Sequence, residues 1–70
     1  MLQVKTYDYQ VKEGIVYTTL HTTEKMTRLE FYEHLDYLKR YSDGFIQVSR
    51  NEYLVKPYKD SFVRDLIIVD

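Results

Sequence analysis

Few residues in this chain are of the kinds that do chemistry, and their spacing keeps them apart. The histidines are His21 and His34. They miss the i,i+4 interval that sets two imidazoles on one helix face for a metal ion, and no thiolate completes a ligand set. His34 falls on the apolar stripe of a helix, the place of a structural histidine. His21 lies near a strand end, where a solvated ring or a pH-sensitive contact is expected. Ser42, Ser49 and Ser61 sit in turn-like or strand-end places without the flanking glycines of a hydrolase elbow. Glu33 and Asp36 are helix neighbours of His34 and point away from it, so no dyad forms. Gly14 and Gly44 are the only glycines, too few for a loop that cradles phosphate. A one-helix domain also seldom encloses the roughly 300 Å³ or more of a usual ligand pocket. The expectation is a non-enzymatic protein with no catalytic, metal or cofactor site.

Tyrosine is the chemistry the chain does carry in quantity, at eight of 70 residues. Its ring is apolar and its hydroxyl polar, so it suits a surface that is wet in one state and covered in another. Alanine, tryptophan and cysteine are absent, while Val, Ile, Leu and Thr are abundant. β-Branched and aromatic residues of this kind favour strands.

One helix positions the rest. Thr27-Arg28-Leu29-Glu30 fits the capping box, in which a Thr hydroxyl and a Glu carboxylate each take the other's backbone N–H. Met26 and Phe31 fall at the two positions of a hydrophobic staple. Lys39 and Arg40 oppose the helix dipole in the last turn, and Gly44 suits a left-handed stop. Phe31, His34, Leu35, Leu38 and Tyr41 make the buried stripe. Asp36 and Arg40 are placed for an i,i+4 pair on the polar side. Leu29, Tyr32 and Tyr37 interrupt that side as the edge of a second contact surface.

Around the helix the pattern predicts strands at Leu2–Val11, Ile15–Thr22, Phe45–Ser49, Glu52–Lys56 and Phe62–Val69. Thr22–Lys25 connects the first hairpin to the helix. Lys12-Glu13-Gly14 reads as a three-residue hairpin loop. Val11 then faces Ile15, Tyr9 faces Tyr17 and Tyr7 faces Thr19, with Lys5 and His21 on the same side. Leu2, Val4, Val16 and Leu20 share the opposite side and seat the helix. Arg50-Asn51 is a turn, and Pro57 ends its strand for want of an amide donor. Ser61–Arg64 has a helical turn as its alternative. Leu66-Ile67-Ile68-Val69 is apolar on both faces, so this strand is expected in the middle of the sheet or against another chain. The fold class expected is α+β: a small single domain over residues 1–70 in ββαβββ order, its mostly antiparallel sheet carrying one amphipathic helix on one face.

Composition bounds the partners. A 70-residue chain buries only about 60% of its unfolded surface, and without disulfides or metal the common remedy is oligomerisation. A helix of about 14 residues is roughly 21 Å long and about 10 Å wide, against a five-strand sheet about 24 Å wide. One face of the sheet is therefore left for another molecule. A homodimer is expected first, through Tyr7, Tyr9, Ile15 and Tyr17, with Leu29, Tyr32 and Tyr37 as a second surface and an unknown protein target beside self-association. Ten bases against eleven acids give a net charge of −1, with no block of like charge. Single-stranded nucleic acid on an aromatic sheet face is the alternative, since Lys5 and Lys12 flank the tyrosines. The basic-Gly-aromatic-Gly motif of the common RNA-binding sheet is absent. A phosphate-mimic role for Asp8, Glu13, Glu30, Glu33 and Asp36 is a narrower variant. Met-Leu-Gln-Val-Lys lacks the cationic start and apolar core of a signal peptide, no run approaches membrane-spanning length, and a cysteine-free chain suits the cytoplasm, which is the expected location. In general look the chain resembles the small accessory and inhibitor proteins of phages and other mobile elements, with no motif behind the likeness.

Overall fold

Thr27 makes the cap its neighbours require. In the computed structural model, which describes residues 1–70, the Thr27 N–H donates to Glu30 Oε1 at 2.9 Å. The Glu30 N–H donates to Thr27 Oγ1 at 3.1 Å. A cap of this kind contributes about 0.5–2 kcal/mol. Donation from the Thr27 backbone, helped by its side chain, favours the charged carboxylate and holds Glu30 below the ordinary glutamate range.

Helix α1 runs Arg28–Tyr41. Phe31 and Leu35 are buried, His34 and Leu38 half-buried. Asp36 and Arg40 pair at 3.2 Å on the exposed side. Two expectations at the far end fail. Tyr41 is 69% exposed and stands beside Tyr37, ring centroids 4.9 Å apart, instead of joining the buried stripe. Gly44 does not stop the helix. Ser42 does: its N–H makes the last i→i−4 bond, to the Leu38 carbonyl, its extended backbone then turns the chain out, and its hydroxyl donates to the same carbonyl. Gly44 instead opens a strand, where an added Cβ would stand 3.4 Å from Lys56 Cβ.

Five strands complete the fold: β1 Leu2–Lys12, β2 Ile15–Met26, β3 Gly44–Ser49, β4 Glu52–Lys56 and β5 Arg64–Val69. Their spatial order is β2-β1-β5-β4-β3, every neighbouring pair antiparallel. The class is α+β in ββαβββ order, with the apolar tail β5 in the centre. β2 extends to Met26, so Thr22–Lys25 belongs to the strand and is no connector. β4 ends at Lys56, just before Pro57. β5 starts only at Arg64. Ahead of it a turn closes from the Ser61 N–H to the Tyr58 carbonyl, and Ser61 Oγ accepts from the Val63 N–H.

The core lies between α1 and one face of the sheet. Val4, Phe31, Leu35, Val55 and Ile67 are buried, and Leu2, Met26, Leu38, Phe45, Tyr53 and Val69 pack around them. Phe31 is the joint: its ring meets Tyr53 edge-on at 5.9 Å, and Met26 closes over the helix start as a staple does.

The first hairpin departs from expectation by one residue. Its loop is two residues, Glu13 (φ +52°) and Gly14 (φ +78°), the left-handed pair of a type I′ turn. Lys12 therefore faces Ile15, Val11 faces Val16, Tyr9 faces Thr18 and Tyr7 faces Leu20. A one-residue slip moves every side chain to the other face. Tyr17 thus leaves the side of Tyr7 and Tyr9. Val16 and Leu20 leave the helix side on which they were expected. Below Leu20 a bulge admits His21 as an extra residue, and the pairing resumes as Thr6 with Thr22 and Leu2 with Met26. Met26 is thereby returned to the core side.

Candidate interaction face of the sheet

The register places one unbroken apolar row across the face turned away from the helix. Leu20 on β2 is opposite Tyr7 on β1, Tyr7 opposite Leu66 on β5, Leu66 opposite Leu54 on β4, and Leu54 opposite Ile46 on β3. Cross-strand neighbours of this kind stand about 4.5–5.5 Å apart at Cβ, so the row spans the whole sheet. One side of it is flanked by Thr23, Lys5, Ile68 and Glu52. The other is flanked by Thr18, Tyr9 and Arg64, with Lys56 beyond Leu54 on β4. Nothing in the chain covers this face. Leu20 is 52% exposed, Ile46 63% and Phe62 94%. Phe62 lines a shallow cleft of about 310 Å³ with Tyr9, Val11, Leu54 and Arg64.

Charge divides between the two sides of the sheet. The open face carries Lys5, Lys25, Lys56 and Arg64 against Glu52 and Asp70, the latter paired with Gln3 just past the end of β5. Lys56 reaches Asp43 at 3.8 Å, and Arg64 Nη1 donates to the Ser61 carbonyl at 3.0 Å. Lys5 and Glu52 form no ion pair within the chain. On the helix side, Asp8 and Asp65 are directly opposite each other. Burial pushes the Asp65 carboxyl above the ordinary aspartate range, the Asp8 charge pushes it further, and His21 partly offsets both.

The residues expected to bind are distributed over three places. Tyr7 and Tyr9 lie on the open face, half-exposed. Ile15 and Tyr17 lie on the other side of the sheet at the hairpin tip, 55% and 52% exposed, beyond the reach of β5, whose pairing stops at Tyr9. Leu29, Tyr32 and Tyr37 are exposed on α1. Tyr32 lines a cleft of about 340 Å³ with Arg28, Arg50 and Tyr53. The tyrosine trio therefore does not form one surface. Its place on the open face is taken by apolar residues outside the expected set, the aliphatic Val11, Val16, Leu20, Ile46, Leu54 and Leu66 together with the aromatic Phe62. Their signal was the apolar tail, since a strand greasy on both sides needs neighbours above and below.

No group of three or more His, Asp or Glu side chains stands close enough to hold a metal ion. No helix is long and apolar enough to cross a membrane. Comparison with known protein families, curated proteins and solved structures gives no match.

Proposed function

We propose that this protein is a non-enzymatic binding module of the cytoplasm whose working surface is the open face of the sheet, and that its first partner is a second copy of itself. The supporting observation is area. The chain exposes 5363 Å², whereas a folded monomer of 8.5 kDa averages about 4,700 Å². The surplus of about 700 Å² is close to the roughly 800 Å² that each partner contributes to a standard interface. An apolar row running the full width of a sheet is also larger than the scattered exposed side chains of ordinary monomers.

Light scattering tests it. The native chain should have twice the 8.5 kDa mass of one copy, and Ile46→Lys should return it to one copy with its circular dichroism unchanged. Ile46 is already 63% exposed, so the substitution costs the fold little. A native chain that stays single at millimolar concentration overturns the dimer.

The segregation of Lys5, Lys25, Lys56 and Arg64 onto the face that bears Tyr7 and Tyr9 supports a second reading, a single-stranded nucleic acid laid across the same strands. It requires that a labelled single-stranded oligonucleotide bind, and that its affinity fall steeply between low and moderate salt. Absence of binding at low salt removes it.

A further inference from the structure

We infer that two copies pack sheet against sheet about a two-fold axis that runs close to the central strand β5. The inference rests on the self-association proposed above and specifies its geometry. A face-to-face pair related by a two-fold must have its axis in the plane between the sheets, so an axis along the strands and an axis across them are the principal choices.

An axis along β5 keeps each cross-strand row facing its own copy and exchanges the two halves of the sheet. The spatial order β2-β1-β5-β4-β3 then sets β1 over the partner copy's β4, and β2 over its β3. In the apolar row, Leu20 meets Ile46, Tyr7 meets Leu54, and Leu66 meets Leu66. In the flanking row, Lys5 meets Glu52 and Ile68 meets Ile68. The Lys5–Glu52 contact occurs twice, once on each side of the axis. These two side chains lie on the same row, on either side of Ile68, and neither makes an ion pair at home.

An axis across the strands would instead set Glu52 against Lys56. Lys56 already has Asp43 at 3.8 Å. That arrangement would also set Phe62 over the row of Asp70, Gln3 and Lys25, an apolar ring against polar and charged side chains. The axis along β5 sets Phe62, at 94% the most exposed large apolar side chain of the molecule, near its own copy.

The dimensions fit. Five strands spaced about 4.8 Å apart, and three rows about 6.8 Å apart along them, give a contact about 24 Å by about 20 Å. That is on the order of 500 Å² in plan, and more once side-chain relief is counted, so it approaches the standard share of about 800 Å² per partner. Aligned sheets cross at about −30°, a crossing that the two-fold accommodates by tilting each β5 about 15° from the axis. Arg64 meets its own copy at one end of the axis, with its guanidinium drawn toward the Ser61 carbonyl.

A charge exchange tests the axis, read as the dimer dissociation constant from sedimentation. Lys5→Glu and Glu52→Lys should each weaken the dimer by about tenfold, because each breaks two symmetry-related pairs and sets like charges together. The double variant should recover to within about threefold of the native chain. Circular dichroism of each variant separates lost association from lost folding. If Lys56→Glu rescues Glu52→Lys and Lys5→Glu does not, the axis crosses the strands and the inference is overturned while self-association stands. If the native chain does not associate, both fall together.

Discussion

Phe31 is the side chain on which the attachment of helix to sheet turns, and its removal is a severe test of how thin this core is. It is 4% exposed and one of only five buried apolar residues, and it meets Tyr53 edge-on at 5.9 Å. At 0.05–0.15 kcal/mol per residue, 70 residues carry about 3.5–10 kcal/mol of stability, and a core of five places this chain toward the lower end. A Phe→Ala change in a core costs about 3–5 kcal/mol, a figure that includes the loss of an aromatic contact worth about 0.5–1.5. The loss is thus comparable to the whole. Phe31→Ala is expected to be largely unfolded at 37 °C, whereas Phe31→Leu should lose about 1.5 kcal/mol and stay folded. Urea titration followed by far-ultraviolet circular dichroism measures both. The titration should be run at two protein concentrations, since association raises the midpoint by mass action. A Phe31→Ala protein that keeps native chemical-shift dispersion and loses less than about 1 kcal/mol would falsify the view that this joint holds helix to sheet.

Two further outcomes follow from local features. Thr27→Ala should lower stability by about 0.5–2 kcal/mol without changing the oligomeric state; an unchanged urea midpoint would mean the helix start is held by the Met26–Phe31 staple alone. Asp65 makes stability depend on pH in a defined direction. Its carboxyl is raised in the folded state, by burial first and by Asp8 second, so the folded chain binds the proton more tightly than the unfolded one. The contribution is complete below the ordinary aspartate value and is lost as pH rises through the raised folded value. Over that window the urea midpoint should fall, Asp65→Asn should flatten the slope, and Asp8→Asn should flatten it only in part. An equal slope in native and Asp65→Asn proteins would assign the dependence to other groups.

The helix was legible because its start is written in side chains that bond locally. Thr27 and Glu30 can satisfy each other only if the chain turns there. The β3–β4 hairpin was legible for a similar reason: Arg50-Asn51 separates two short apolar runs. The face of the first hairpin was not. A three-residue loop ending in Gly14 and a two-residue loop containing it differ by one residue, and the sequence argues against the shorter one because Glu13 must then adopt a left-handed φ. The bulge at His21 leaves no mark at all, since bulged residues are of no particular type here. That one residue decided which side Tyr17, Val16 and Leu20 occupy, so the location of the candidate surface was legible as a shortage of cover, and its membership was not. The far end of α1 departs from its residue types for a different reason: Gly44 and Tyr41 suit a stop and a buried stripe, but the extended backbone of Ser42 ends the helix first, with the Ser42 hydroxyl on the Leu38 carbonyl.

β1 has an unusual mechanical position. Its first half is clamped on both sides, by β2 and β5, and holds Val4 in the core. Past Tyr9 it has β2 alone for company, and the two run out together as a ribbon to the turn at Glu13 and Gly14, along a molecule whose longest dimension is 38 Å. Such a ribbon is a cantilever rooted in the middle of the sheet. A load applied at its tip is carried by one continuous backbone to the place where helix and sheet meet, without passing through a loop.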